Sequence, residues 1–464
     1  MLKKKLLGRI TLGMGLLGII IGIVLFFVLA YKGWSTLWVA PVCAIIVALF
    51  NQLDPLQAVT QIYVTGMTEV FLQLFSLIFM GVVFGKVYAE TGAAASIATT
   101  LSNKFVVHRE GDGQVKAAVL ILIITFGLFT MGGIDGFVQI FTLFPIVMII
   151  AENSDIPRKY VPALLCLGAP FMAAPGAPQH NNIMTVAALG MKGIETSPVA
   201  GVIPGIVAVL IIVTLSYFTL VKIILKAKAN GEHFDKDGIH IHSGEGNELP
   251  KFWVALIPLL VVFVLFVVTH EVFIAVGVGI ILTILLMFKY MTKIDMFGNE
   301  ITIGKTIVNA INNGSREYPY AIISVVTPAG FAAVVTATAA FGMIVGMFFG
   351  LPFNIFIVAI IVVSVVVAVT SSPPAAIFVA IPIILEMIGI RGMIPNVPGI
   401  TRVVALAATT FETLPANGFV LLILGMSKIS HKEGYLPVFL VTVAYTLVGT
   451  IVAALLFIFF PGLA

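Results

Sequence analysis

Thr130-Met-Gly-Gly-Ile-Asp135 interrupts one long apolar stretch of this sequence, and Thr370-Ser-Ser-Pro-Pro-Ala375 interrupts another, 240 residues later. A second pair has the same separation: Pro175 lies in Ala174-Pro-Gly-Ala-Pro-Gln-His-Asn-Asn182, and Pro415 lies in Phe411-Glu-Thr-Leu-Pro-Ala-Asn-Gly-Phe419. Irregular backbone at membrane depth is tolerated only where protein buries it or where it lines a watery cavity. Matched interruptions in two halves of a chain are typical of secondary transporters built from internal repeats.

The composition is that of a membrane protein. Hydrophobic residues make up 60% of the chain and charged residues only 10%, whereas a soluble domain carries roughly 25% charge. The run from Ile10 to Ala30 exceeds the roughly 7 to 15 apolar residues of a secretory signal, so we interpret it as a transmembrane helix. We therefore expect an all-α, polytopic membrane protein. Apolar stretches begin near residues 11, 36, 68, 160, 199, 252, 272, 318, 395 and 435.

The chain divides into two halves with the same predicted pattern. Each half is expected to contain about five transmembrane helices, one of them broken, and a re-entrant helical hairpin, with a short amphipathic piece near 54–65 or 303–313. An odd number of crossings inverts the second half relative to the first. The predicted boundaries are 1–227 for the first repeat with a hairpin tip at 130–136 and a break at 174–182, 228–251 for a linker, and 252–464 for the second repeat with a tip at 370–375 and a break at 411–419.

Loop charge predicts the orientation of these repeats. Cytoplasmic loops carry an excess of Lys and Arg, and most basic residues fall on one predicted side, which includes the linker 228–251. Only Lys192 and Arg391 fall on the other side, while basic residues 3–5 and Arg9 depart from the pattern. We therefore place the linker in the cytoplasm.

The two hairpin tips carry groups that suit a substrate. Gly132 and Gly133 allow a tight turn, and the helix that follows aims free amides, with their partial positive charge, at the cavity. Such a helix end attracts an anion. Thr130 at the first tip and Ser371 and Ser372 at the second offer hydroxyls. Any one of these residues could instead cap a helix or form the turn, but the paired set favours substrate binding.

Both broken helices add polar side chains at membrane depth, where such groups rarely face lipid. They could hold the hydroxyl and carboxylate oxygens of a small solute, and nearby carbonyls could hold a cation. Asn residues in the run could instead tie helices together. The substrate-binding candidates at the breaks are Gln179, His180, Asn181, Asn182, Thr413, Asn417 and Gly418.

Two carboxylates are candidates for binding a coupling ion. Desolvation disfavours the charged form of Glu412 unless a cation pairs with it, so Glu412 could carry a proton or ligate sodium. Asp135 is the second candidate, although it could cap a helix. Arg402 could meet a substrate carboxylate, but we favour a structural role in which it pairs with Glu386 or Glu412.

Other function classes lack their sequence signatures. Cys43 and Cys166 have no metal-type spacing, and the linker histidines fit no tight metal site, so neither a metal nor a cofactor is expected. Catalytic and nucleotide-binding motifs are absent from the sequence, which argues against an enzyme. A net charge of only +4 gives no reason to expect a nucleic acid partner.

The residues resemble those of the gluconate permease family, within the wider ion transporter superfamily. The passage Leu77-Ile-Phe-Met-Gly-Val-Val-Phe-Gly-Lys-Val-Tyr-Ala-Glu-Thr-Gly92 is similar to the third helix of those permeases, and Ala174-Pro-Gly-Ala-Pro178 is similar to their Pro-rich break. The first tip departs from the family, which commonly has an aromatic residue followed by Glu where this chain has Gly132-Gly-Ile-Asp135. The resemblance implies a small organic acid moved by proton symport, in a homodimer with rigid scaffold parts and a mobile transport part.

Together with this resemblance, the sequence predicts a protein of the bacterial inner membrane that takes up a small organic acid by proton symport, with alternating access of the elevator type as the resemblance suggests. The acid is a gluconate-like sugar acid, a hydroxy acid or another small carboxylate. A sodium-coupled carboxylate symporter and an organic-acid exchanger or exporter are the alternatives. A channel would not need broken helices in both halves, and an intramembrane enzyme would need a nucleophile and a base.

Overall fold

The computed structural model describes residues 2–31, 34–134, 136–235, 248–291, 300–349, 352–370, 373–415 and 417–463. Their regular structure is helical, as predicted. The first half contains α1 (Leu2–Tyr31), α2 (Thr36–Phe50), α3 (Pro55–Gln57), α4 (Val64–Glu90), α5 (Ala93–Phe105), α6 (Asp112–Met131), α7 (Gly136–Asn153), α8 (Val161–Leu165), α9 (His180–Gly190) and α10 (Val202–Ala229). The second half contains α11 (Phe252–Thr269), α12 (Val272–Met287), α13 (Ile303–Thr336), α14 (Ala339–Phe349), α15 (Ile355–Thr370), α16 (Pro373–Ile390), α17 (Val397–Ala408), α18 (Gly418–Ser427), α19 (His431–Phe439) and α20 (Tyr445–Phe459).

The same order of elements occurs in both halves. Two helices precede a long helix and a short one, then come two closely connected helices, two short helices separated by an irregular stretch, and a last helix. The closely connected pairs are α6 with α7 and α15 with α16, and the irregular stretches separate α8 from α9 and α17 from α18. The inversion of the second half and the re-entrant course of the two pairs stay predictions.

Several helices are suited to crossing a membrane. Among the described residues, five are long and apolar enough to do so, and they carry exposed apolar side chains such as Leu210, Phe218 and Val268. In water such surfaces would be costly, and in lipid they are expected. The five are Asp112–Met131, Val202–Ala229, Phe252–Thr269, Val272–Tyr290 and His431–Phe459.

The predicted short amphipathic pieces are not separate elements. In the second half the piece is the start of α13, a helix of 34 residues that begins where the side chain of Thr302 accepts a hydrogen bond from the backbone N–H of Lys305. In the first half, α3 continues through a π-helical turn, Ala58–Tyr63, into α4. Sequence analysis also missed the short helices α5 and α14. A left-handed residue, Gly92 with φ +68°, separates α4 from α5.

The long helices α4 and α13 form the centre of one packing unit, here called the frame, which also includes α1 and α2. Small residues let the two long helices approach closely. A Cβ on Gly66 would lie 2.4 Å from the Cβ of Ala333, and one on Gly330 would lie 2.8 Å from the backbone oxygen of Tyr63. Close packing of small residues is the usual way helices associate in membranes.

The interrupted segments belong to a second packing unit, here called the break-bearing unit, which comprises α6–α10 and α15–α20. In this unit α15 packs against α16 and α17, α9 packs against α16 and α17, and α10 packs against α20. The two halves therefore interlock, because α9 and α10 come from the first half and their neighbours from the second.

Candidate functional site

The first predicted tip is a tight, buried turn between α6 and α7. Gly133 has φ +79°, a conformation that strongly favours glycine. Gln139 on α7 holds the turn, since its Nε2 donates to Thr130 Oγ1 at 3.1 Å and to the backbone oxygen of Ile134 at 2.7 Å. Thr130 and Gln139 are both buried. Sequence analysis did not single out Gln139, although a buried Gln in an apolar helix was the available signal.

The first break is tied directly to this tip. Gln179, the last residue before α9, donates from Nε2 to the backbone oxygen of Thr130 at 2.7 Å. Pro178 also packs there, because a Cβ on Gly133 would lie 3.1 Å from its Cγ. The amide nitrogen of Gln179 is therefore used to join the break to the tip.

Asn182 and Arg402 connect the first break to the second half. Asn182 Nδ2 donates to the backbone oxygens of Ala174 at 2.7 Å and Ala177 at 2.9 Å. Its Oδ1 accepts from Arg402 Nη1 at 2.8 Å. The remaining bonds of Arg402 are donated to the backbone oxygens of Ala173 at 2.6 Å, Pro198 at 2.6 Å and Ala200 at 3.0 and 2.9 Å.

Arg402 is fully buried and uses all five of its N–H groups in these bonds. Its role is structural, as we favoured, but its partners are carbonyls and an amide rather than a carboxylate. Within the described structure, neither Glu386 nor Glu412 pairs with it. The carbonyl dipoles stabilise the guanidinium, and a positive charge stays fixed beside the first break.

At the second break, polar groups are also engaged by protein. Asn417 caps α18, because its Oδ1 accepts from the backbone N–H of Phe419 at 2.8 Å. The hydroxyl of Thr413 contacts that of Thr442, and Tyr435 donates its hydroxyl to the backbone oxygen of Thr413 at 3.0 Å. The break thus starts a helix whose N-terminus is well defined at Gly418.

The breaks of the two halves meet at His180 and Glu412. His180 Nε2 lies 3.9 Å from Glu412 Oε1, with side-chain exposures of 18% and 25%. This distance is too long for a hydrogen bond between the two atoms. The first tip also reaches the second break, because a Cβ on Gly136 would lie 3.5 Å from a ring carbon of Phe419.

Asn181 differs from its neighbours. It is fully buried, and within the described structure neither its Nδ2 nor its Oδ1 has a hydrogen-bond partner. Buried polar side chains are normally paired, so an orphaned amide calls for an explanation.

Three predicted site residues, Asp135, Ser371 and Ser372, lie outside the described residues. The helices on either side of the second tip are described, and Ser364 on α15 shares a 2.9 Å hydrogen bond with Thr410, just before the second break.

Helices α7, α9, α16 and α18 begin at the four interruptions. Three of these interruptions contact one another, and helix N-termini attract anions.

Glu69 and Glu386 line a separate groove of about 350 Å³ between α4, α13 and α16. The groove lies between the frame and the break-bearing unit. Among the residues that the structure describes, no cluster of His, Cys, Asp or Glu could hold a metal ion.

The apolar helices and the polar interruptions between them fit a multi-pass membrane transporter. Residues 14–303 match the sequence profile of the GntP family permeases, and the chain belongs to that family. It is therefore a membrane transporter and not an enzyme. The resemblance to gluconate permeases is thereby confirmed. A similar protein is the uncharacterized transporter YxjC of Bacillus subtilis, 24% identical over 483 residues that cover 93% of this chain and 97% of the relative.

Two solved transporter structures match over most of the chain. The YdaH transporter of Alcanivorax borkumensis has a TM-score of 0.51 at 12% identity, covering 88% of this chain and 89% of its own. MtrF of Neisseria gonorrhoeae, described as illuminating a class of antimetabolite efflux pumps, has a TM-score of 0.47 at 12% identity, covering 87% and 84%.

Proposed function

We propose that this protein takes up a small organic acid by proton symport. One observation carries the proposal: interrupted segments of both halves meet at His180 and Glu412, where the N-terminus of a helix opens beside a buried amide without a partner. The partial positive charge of helix ends and the fixed charge of Arg402 favour an anionic substrate. Membership of the GntP permease family supports the same class of solute.

The substrate would be bound at the breaks and the tips. Its direct contacts are assigned to His180, Asn181 and the backbone at Gly418. The backbone N–H groups of Gly132 and Gly133 donate to the oxygens of Leu128 and Thr130, so these two glycines would contribute through the shape of the first tip. Side chains already bonded to protein would position these groups or exchange their bonds during transport. That second set is Thr130, Gln179, Asn182, Thr413 and Asn417, and Ser371 and Ser372 at the second tip complete the proposed site.

The coupling proton would bind at Glu412, with Asp135 as the second candidate. An anion that enters a negative interior works against about 2.3 kcal/mol per charge per 100 mV. A proton that enters with the anion removes this cost. At Glu412 the proton would also remove repulsion between the carboxylate and the substrate.

Transport would proceed by movement of the break-bearing unit against the frame. The groove lined by Glu69 and Glu386 separates the two units on one side and so supports a sliding interface. In this proposal the two halves are inverted repeats, α6–α7 and α15–α16 are re-entrant hairpins, and the frames of two copies form the homodimer that the family resemblance suggests.

Two alternatives use the same site. A sodium-coupled symporter would place sodium at Glu412 or Asp135. An organic-acid exchanger or exporter would share the substrate site but would not couple uptake to a proton. Uptake into proteoliposomes under separate proton and sodium gradients, and counterflow without a gradient, distinguishes these cases.

Glu412→Gln tests the proposal most directly. The variant cannot bind a proton at this position, so it should lose proton-driven accumulation of a radiolabelled organic acid while retaining counterflow. Glu110→Gln, at an exposed loop residue, is the control and should accumulate substrate like the wild type. Undiminished accumulation by Glu412→Gln would remove Glu412 from the coupling role.

A further inference from the structure

Asn181 stands out in the polar run 179–182 because it is the residue whose side-chain amide is wholly unused. Gln179 binds the first tip through Nε2, and Asn182 uses Nδ2 and Oδ1 on the carbonyls of the break and on Arg402. Asn181 has zero exposure, and neither of its polar side-chain atoms has a hydrogen-bond partner among the described residues. Native interiors rarely retain such a group unless a ligand or water completes it.

The position of Asn181 on the helix separates it from the structural contacts. Successive side chains are about 100° apart around a helix of 3.6 residues per turn. Asn182 faces α17, where Arg402 lies, so Asn181 is directed to a different side. The other main neighbour of α9 is α16, which begins at Pro373, directly after the second tip. Asn181 also lies in the first turn of α9, where the partial positive charge of the helix end is greatest.

We propose that Asn181 is the specificity-determining residue of the site and that it distinguishes a hydroxylated carboxylate from the same acid without the hydroxyl. This inference rests on the proposed function. A carboxylate only accepts hydrogen bonds, so it could satisfy Nδ2 but would leave Oδ1 unpaired. A hydroxyl donates to Oδ1, while a neighbouring oxygen accepts from Nδ2. A site built in this way rejects the analogue that lacks the hydroxyl.

If Asn181 serves a ligand, its replacement by an apolar residue should not destabilise the ligand-free protein. Asn181→Leu replaces two unpaired buried polar atoms by an apolar group of similar volume, so the ligand-free variant should have a Tm equal to or above that of the wild type. Asn182→Leu, one residue along, removes one acceptor of Arg402 and one donor to each of the carbonyls of Ala174 and Ala177, so it should lower the Tm. Replacing a residue that binds a ligand and replacing a residue that supports the fold should therefore change the Tm in opposite directions.

The test uses the full-length purified protein and matched pairs of acids: lactate with propionate, and gluconate with hexanoate. The Tm is followed against the concentration of each acid, because a ligand that binds the folded state raises it. The wild type should bind at least one hydroxy acid about tenfold or more tightly than its unsubstituted partner, which corresponds to one well-placed hydrogen bond. Asn181→Leu should bring the two affinities together, and Asn181→Ser repeats the test with a smaller side chain.

The outcomes separate this inference from the proposed function. If both Asn181 variants discriminate as the wild type does, Asn181 is not the specificity residue, while organic-acid binding stands. A wild type that binds hydroxylated and unsubstituted acids equally also overturns the inference alone. A Tm loss in ligand-free Asn181→Leu as large as in Asn182→Leu assigns Asn181 to the fold instead. If the wild type binds none of the acids, the inference and the proposed function both fail.

Discussion

Arg402 carries a charge into a fully buried position, where an unpaired ion would be very costly. Its five hydrogen bonds spread that charge over four oxygen acceptors from residues 173–200 of the first half. Because Arg402 itself lies on α17 of the second half, these bonds join the two halves at the candidate site. The same side chain therefore holds the first break in shape and keeps a positive charge near it.

Arg402→Met should destabilise the protein by roughly 3–5 kcal/mol, because it leaves buried carbonyls and the Asn182 amide without their donor. Arg402→Lys keeps the charge but has only three donors, so it should recover part of the loss. Thermal unfolding of both variants in the same detergent measures this order. A methionine variant as stable as the wild type would show that the buried network is not needed.

The sequence was sufficient to identify the run 179–182 as a candidate site, but it could not assign a separate role to each residue of the run. Asn181 and Asn182 are the same residue type, and only the rotation between them decides that one bonds to Arg402 and the other to nothing. Arg402 was expected to pair with a carboxylate, because residues of opposite charge can be identified in the sequence. Its actual partners are carbonyls exposed by irregular backbone, and their positions depend on the tertiary fold.

At the level of elements, the frame depends on close contact between α4 and α13. Gly330 is a point where the backbone at the start of α4 itself lies close, since an added Cβ would lie 2.7 Å from Met67 Cγ and 2.8 Å from the backbone oxygen of Tyr63. A backbone oxygen cannot rotate away as a side chain can. The helices must therefore separate to admit even one methyl group.

Gly330→Ala should lower the stability of the protein by about 1–3 kcal/mol, the usual cost of overpacking. Gly342→Ala is the matched control, because Gly342 lies inside α14 with nothing within 4 Å of an added Cβ. That change should leave the Tm unchanged or raise it, since alanine favours the helix by up to about 1 kcal/mol. Equal Tm values for the two variants would contradict the packing argument.

Periodicity and length predicted the long apolar helices better than the short ones. The stretch 303–313 is amphipathic and is followed by Gly314 and Pro319, residue types that often end a helix, so it looked like a separate interfacial piece. The structure nevertheless continues α13 through both residues to Thr336. Helix α14 was missed because its apolar residues merge with the predicted span before it, and a two-residue turn at Ala337 and Thr338 is the only separation.

At the scale of the whole molecule, the connection between the halves is attached to the first half by ion pairs. Asp155 Oδ2 lies 2.8 Å from His233 Nδ1 and 3.4 Å from Lys228 Nζ, and Asp155 Oδ1 accepts from the backbone N–H of Phe234 at 2.9 Å. Arg158 pairs with Asp235 at 3.2 Å, and Lys159 pairs with Glu232. The loop after α7 and the start of the linker are thus held together.

Asp155 is the centre of this attachment, and its titration sets the pH range in which the attachment holds. Partial burial acts to raise the pKa of Asp155, but the hydrogen bonds from Phe234 and His233 and the charge of Lys228 outweigh it, so the pKa lies below its ordinary value of 3.8. A carboxyl with a lowered pKa in the folded state stabilises that state above its ordinary pKa, and this stabilisation is lost as the pH falls through the lowered value. The linker should therefore stay attached at neutral pH and detach only below about pH 4.

Asp155→Asn isolates the charge, because Asp155 has φ +50° and Asn tolerates that left-handed conformation. Hydrogen exchange of the Phe234 amide is the direct readout, since that N–H donates to Asp155 in the wild type. At pH 7 the variant should exchange this amide roughly three- to fivefold faster, as expected for the loss of a partly exposed ion pair. In the wild type, protection corrected for the intrinsic rate should persist down to about pH 4 and then fall. Equal protection in both proteins at pH 7 would mean that the backbone alone holds the linker start, and the charges around Asp155 would then have no part in holding it against the loop after α7.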